Sequence, residues 1–413
     1  MKILVVGAGA AGIEASFVAS ELGSKVFLVD KFEIGGNYIN RTCIPSKFLI
    51  RFIKGRNIQK ALKLAKREIH LYRRNIINEL NSKDIVFHKA KFFITNTGFK
   101  IKETSIGDVS KIILCNGSEP IVPNIKGKEY LTYSNELLEK IENYNSICII
   151  GSGPEGIEMH EIFSKAKINT FIVEKKDRIL SIEDEDISKI YEKILENRNA
   201  KIILNNSVIG VKKVGNNFKV ILADSSEIKV DCVVSCVGWR PNYEGIEGIL
   251  KNNRLVVDER LMVNDKIYAA GDVVKVASAS IAKIQGNIAA KNALGMNKIY
   301  NFENLIPHTI FTSPQISVVG IKENDIKHNK DYKIIKLSNI DLKELYSINN
   351  FYLKIILKND LIVGAACISE RADEIINFFS FLISKNVRLS ELSSLIPTHP
   401  SIYEEILDYL KSK

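Results

Sequence analysis

The chain opens on an apolar run, Ile3-Leu4-Val5-Val6, that stops in a glycine turn. Gly7, Gly9 and Gly12 stand there in the pattern G-x-G-x-x-G. An amphipathic stretch follows, and then a second apolar run, Val26-Phe27-Leu28-Val29, closed by Asp30. The same order recurs from Ile147: an apolar run, then Gly151, Gly153 and Gly156, an amphipathic stretch, and Phe171-Ile172-Val173 closed by Glu174. Both segments predict strand, tight turn, helix, strand. Residues 48–81 carry Leu and Ile at helical spacing and predict one or two helices. Residues 82–117 and 201–237 alternate apolar and polar, as short strands do. From about 303 the pattern turns β-rich, with a helix near 371–386 and another at the end. The expected fold class is α/β, with two Rossmann-like dinucleotide-binding domains and a separate C-terminal α+β domain.

A lone G-x-G-x-x-G says little. Here each copy follows a strand, opens a helix and reaches an acid 23 residues after its first glycine. The first glycine permits the turn, the second lets backbone approach a pyrophosphate, and the third lets helix and strand pack closely. The helix N-terminus then faces the anion. Asp30 and Glu174 can accept hydrogen bonds from ribose hydroxyls. Glu174 favours the free 2′-hydroxyl of NADH over the 2′-phosphate of NADPH. Lys175, Lys176 and Arg178 follow it and soften that preference.

The 413 residues carry 58 Lys/Arg and 48 Asp/Glu, a net charge of +10. The surplus is local. Residues 47–91 hold 13 Lys/Arg and 3 Asp/Glu, and the rest of the chain holds 45 of each sign. One basic segment that carries no nucleic-acid motif argues against nucleic acid. It is either a solvated helical face or a docking surface for an acidic partner. No apolar stretch of about 18 residues suggests a membrane span. Six cysteines in no small-scaffold spacing suggest a reducing, cytoplasmic compartment. No metal-ligand spacing is present among the histidines.

The segments around the two turns resemble the pyridine nucleotide–disulfide oxidoreductases, the family of dihydrolipoamide dehydrogenase, glutathione reductase and mercuric reductase. The resemblance covers essentially the whole chain. It rests on Gly35-Gly36, on Cys43-Ile44-Pro45-Ser46-Lys47, on Leu114 to Pro120 with Gly117, on Gly238-Trp239-Arg240-Pro241-Asn242 and on Ile267 to Asp272. Phe311 to Gln315, Val318-Val319-Gly320 and His399-Pro400-Ser401 with Glu404 complete it. It implies FAD on residues 1–120 and 241–302, held by Gly7, Gly9, Gly12, Asp30, Gly35, Gly36, Lys47, Gly117 and Asp272. It implies NADH, with NADPH second, on residues 121–240 through Gly151, Gly153, Gly156 and Glu174. It implies a homodimer built through residues 303–413.

One departure stands out. The redox pair of the resembling enzymes is C-x-x-x-x-C, and here Tyr38 occupies the first position. Cys43 matches the thiol that sits against the flavin, so an intramolecular disulfide at this site is excluded. By the resemblance, Lys47 pairs with Glu158 near the flavin, and His399 with Glu404 forms an acid–base couple reaching across the dimer. The expectation is an FAD-dependent NAD(P)H oxidoreductase that passes a hydride to FAD and then to an unidentified acceptor, a small molecule or an acidic protein. A disulfide or peroxide reductase working through Cys43 alone is the second expectation. A non-catalytic flavin-binding partner is the third. Cys232, Cys236, Cys115, Cys148 and Cys367 read as core residues.

Overall fold

A computed structural model describes residues 1–412, apart from residues 54, 56, 96–97, 103–105, 137–138, 140–143, 199, 302–304, 328 and 342–343. The expected start of the C-terminal domain, at 303, falls outside the described residues. The chain forms two compact units. The first comprises 1–124, 131–143 and 237–301, and the second 125–130, 144–236 and 302–413.

The first unit is built on β1 (Lys2–Val6), α1 (Ala10–Glu21) and β2 (Lys25–Asp30). Short helix α2 (Gly36–Asn40), α3 (Cys43–Phe52), α4 (Ile58–Ser82) and β3 (Val86–Lys89) follow. β1 lies parallel to β2 on one side and to Lys111–Leu114 on the other, and β2 is parallel to β3. Strand Ile267–Ala269 extends the sheet parallel to Lys111–Leu114, and Met262–Asn264 closes it antiparallel. The central strands are buried, which is why their sequences run apolar without alternation. Leu4, Val6, Val29, Leu114 and Ala269 meet in one core cluster. Helix α1 packs on Ala279–Ala293, where a Cβ on Gly286 would stand 2.2 Å from the Ala11 carbonyl oxygen. Residues 48–81 do form helices, but α3 starts earlier than the apolar spacing suggested, at Cys43 itself.

The second unit repeats the parallel theme. Its strands run in the order Lys201–Ile203, Asn169–Val173, Ser146–Ile150, Cys232–Ser235. Val208–Val214, Asn217–Leu222 and Glu227–Val230 form an antiparallel meander. Beyond 304 lies a five-stranded antiparallel sheet in the order His308–Ile310, Gln315–Gly320, Leu361–Ser369, Phe351–Lys358, Tyr332–Leu337. Helices Ala372–Ser384 and Ile402–Lys411 share its core through Ile375, Phe379, Ile406 and Leu407.

Candidate active site

The first glycine turn is shaped by close backbone contacts. Gly7 has φ +102°, and a Cβ there would lie 2.0 Å from the Cys115 carbonyl oxygen. A Cβ on Gly12 would lie 1.8 Å from the Gly7 oxygen. Gly9 is different: its nearest such neighbour is Gly36 Cα at 3.9 Å, so its Cα faces space that protein does not fill. The second turn repeats the contrast between its second and third glycines. A Cβ on Gly156 would lie 2.0 Å from the Gly151 oxygen, while one on Gly153 meets nothing within 4 Å. Packing explains Gly7, Gly12 and Gly156, and the left-handed backbone at Gly151, φ +97°, explains the remaining one. The open second glycine of each turn leaves room for a pyrophosphate.

The acids after each turn reach back to it. Asp30 accepts the Ala8 N–H at 2.7 Å with one oxygen and the Phe32 N–H at 2.8 Å with the other. Burial raises its pKa against the pull of those hydrogen bonds. Glu174 accepts from both the N–H and the hydroxyl of Ser152, each at 2.8 Å, and from the Lys176 N–H at 3.0 Å. Arg178 is turned to the carbonyls of Glu183 and Ser181, at 2.9 and 3.1 Å. Ionised carboxylates have about four lone-pair positions, so each acid retains acceptor capacity for a ribose.

Asp272 is held on the first unit by residues far away in sequence. The Ser118 hydroxyl donates to it at 2.6 Å and the Ala277 N–H at 3.1 Å. Burial pushes its carboxyl up. Gly117, with φ +72°, precedes Ser118 and has open space over its Cα. Gly35 (φ +116°) and Gly36 (φ +55°) bring α2 against the first turn, where a Cβ on Gly36 would stand 2.7 Å from Gly9 Cα.

Cys43 is the first residue of α3, half-buried, and the Thr42 hydroxyl lies 3.7 Å from its sulfur. Lys47 follows one turn later, with Nζ 3.4 Å from the Ser46 hydroxyl. Tyr38 lies on α2, and the Lys283 ammonium stands 5.9 Å from its ring centre. Burial, reinforced by Tyr72, Cys43 and Glu14, drives the Tyr38 phenol far above its ordinary pKa, so it stays protonated. All six cysteines are free. Cys115, Cys148, Cys232, Cys236 and Cys367 are buried, and burial pushes the Cys148 thiol up to about 12. Cys236 lies just past the end of strand Cys232–Ser235.

In the second unit, Glu158 is buried and accepts the Phe311 N–H at 3.0 Å. His399 Nδ1 meets the Glu404 carboxylate at 2.8 and 3.0 Å, and the His399 side chain is 80% exposed. Glu404 sits in the first turn of the last helix, capped by Ser401. With Nδ1 so engaged, Nε2 is the nitrogen left for proton exchange.

Sequence reasoning passed over one cluster. Asp184, Asp186 and Glu323 converge closely enough to hold a metal ion. The Lys354 ammonium fills their centre instead, at 2.6, 2.7 and 2.9 Å from the three carboxylates. No local pattern marks it, since Lys354 stands in an apolar strand.

The family model for pyridine nucleotide-disulphide oxidoreductases matches residues 1–289, and that of their dimerisation domain matches 306–409. The chain belongs to the pyridine nucleotide-disulphide oxidoreductase family. It is 27% identical to a dihydrolipoyl dehydrogenase of Buchnera aphidicola subsp. Acyrthosiphon pisum, over 98% of this chain and 94% of that protein. It is 24% identical to a mercuric reductase of Lysinibacillus sphaericus, over 97% of this chain and 80% of that protein. Among solved structures, LpdA from Mycobacterium tuberculosis shares the fold at a TM-score of 0.91 and 20% identity, over 100% of this chain and 99% of that one. The flavoprotein disulfide reductase RclA from Escherichia coli, as its Cu(II) complex, matches at 0.89 and 25% identity, over 99% and 98%. As a pyridine nucleotide-disulphide oxidoreductase, the chain is an FAD-dependent enzyme that uses NAD(H). Among the described residues, no helix is long and apolar enough to cross a membrane.

Proposed function

We propose that this enzyme oxidises NADH and delivers the electrons to an acceptor outside the chain, without an intramolecular redox disulfide. The observation that carries this reading is Tyr38, whose protonated phenol stands where the first thiol of the pair would be. FAD supplies the two-electron carrier between nicotinamide and acceptor. In this reading Gly7, Gly9, Gly12, Asp30, Gly35, Gly36, Gly117 and Asp272 hold FAD, on residues 1–120 and 241–302. Gly151, Gly153, Gly156 and Glu174 hold NADH, on 121–240. Lys47 also serves FAD, and residues 303–413 join two copies into a cytoplasmic homodimer. With a quinone the balance is NADH + H⁺ + quinone → NAD⁺ + hydroquinone. Steady-state turnover tests it. NADH–benzoquinone turnover should persist while lipoamide turnover stays at background, and Cys43→Ser should leave the quinone rate unchanged. Lipoamide turnover at an enzymic rate would overturn it.

A second reading, a disulfide or peroxide reductase working through Cys43, is favoured by the His399–Glu404 pair, which suits proton transfer to a leaving thiol. Cys43→Ser would then abolish reduction of small disulfides and peroxides. The name of the mercuric reductase relative also puts Hg(II) on the acceptor screen.

A further inference from the structure

Helix α4 divides its chemistry by face. Ala61, Leu62, Ala65, Ile69, Ile76 and Leu80 are buried. Lys60, Lys63, Lys66, Arg67, His70 and Arg74 are exposed. At about 100° per residue these six positions fall within an arc of about 120°, and the row from 60 to 74 runs ~21 Å along the axis. None of the six is acidic. Glu68, which meets Arg67 at 2.9 Å, lies outside that arc.

The row has three properties that narrow its occupant. It is straight and long, whereas a small anion needs cations that converge on one point. It contains no aromatic ring on which a base could stack. It contains no apolar side chain, and the helix exposes only Leu71 and Tyr72 outside it, too little apolar surface to bury in a bilayer. An acidic protein surface matches all three. The location matters as well. Helix α4 packs on α3, whose first residue is Cys43.

We infer that the cationic row of α4 docks an acidic protein, the external electron acceptor of the reading above, on which this inference rests. Docking there brings the acceptor to within one helix of the redox segment.

Native and succinylated cytochrome c test it, because they share a haem and differ in surface charge. Each turnover is NADH + 2 Fe(III) → NAD⁺ + H⁺ + 2 Fe(II), followed anaerobically on the holoenzyme. The succinylated, acidic form should be reduced at least about tenfold faster at low ionic strength, and the difference should collapse in salt. Combined Lys60→Glu, Lys63→Glu, Arg67→Glu and Arg74→Glu should remove the difference and leave benzoquinone turnover unchanged. Equal rates for the two cytochromes, or a difference that survives the reversal, would overturn the inference. Binding of labelled poly-L-glutamate, read by anisotropy, does not depend on turnover. Its loss on charge reversal supports docking even if quinone turnover fails, which would sink the acceptor reading alone. Tighter binding to phosphatidylserine vesicles than to poly-L-glutamate would reassign the row to a membrane surface and overturn docking to a protein.

Discussion

Glu174 takes both the backbone N–H and the hydroxyl of Ser152 on one oxygen, each at 2.8 Å. The acid at the end of the strand thus braces the turn that carries Gly151 and Gly153. In the proposed reading, the same carboxylate also faces the adenine ribose of NADH. Arg178, a cation of the kind that binds a 2′-phosphate, is committed to two carbonyls instead.

Glu174→Gln should therefore keep part of the brace and remove the charge. The ratio of kcat/KM for NADH to that for NADPH should fall about tenfold, a change of ~1.4 kcal/mol. Steady-state kinetics with both nucleotides measure it. An unchanged ratio would show that the acid does not select the cofactor.

Tyr38→Cys restores the spacing C-x-x-x-x-C with Cys43. In the oxidised variant a disulfide should form, seen as the loss of two titratable thiols. Lipoamide turnover should then rise above the background of the parent chain. A variant that retains both thiols after oxidation would show that α2 no longer presents position 38 to Cys43.

Lys354→Met leaves Asp184, Asp186 and Glu323 facing one another around an apolar group. Removing one partner of a buried ion cluster costs about 3–5 kcal/mol, so denaturant midpoints should fall clearly. The pH dependence follows from Asp186. Burial raises its pKa, but hydrogen bonds from Lys354, Tyr352 and Lys336 outweigh this and hold it well below the ordinary 3.8. A lowered native pKa means stability that is fully present above about pH 4 and is lost as pH falls through the native value. The parent should lose this increment in acid, and Lys354→Met should lose less of it. Equal acid sensitivity of the two proteins would count against the cluster.

His160 is buried with Nδ1 2.7 Å from the Thr170 hydroxyl. Burial, helped by Arg198, lowers its pKa from 6.5 to about 4. The unfolded chain therefore binds the extra proton first. Stability is complete above about pH 6.5 and falls by roughly 3 kcal/mol as pH drops towards 4. His160→Asn, which can still bond Thr170, should flatten melting temperature against pH over that window. A slope unchanged by the substitution would refute the assignment.

Much of the candidate site was legible because its requirements are local. The two glycine turns need particular backbone at fixed spacing, so Gly7 to Asp30 and Gly151 to Glu174 could be read directly. His399 and Glu404 are five residues apart across the cap of one helix, and the structure joins them. Helix α4 announced its faces by period, although the start of α3 at Cys43 did not, because Cys43-Ile44-Pro45 carries no helical repeat. The brace from Ser152 to Glu174 was missed, since a serine within a glycine turn has no distinctive pattern.

By itself, the sequence determined the family, the paired dinucleotide turns and the exchange of a thiol for Tyr38. These depend on residue type at short spacing. Only the tertiary structure decided how buried charge is compensated. Ser118 reaches Asp272 across 154 positions. Lys354 reaches Asp186 across 168. Glu158 receives the Phe311 N–H across 153. Such partners are set by which strands and loops become neighbours when the cores close. A low-dielectric interior then requires each buried charge to be matched, and no local period along the chain encodes where that match is found.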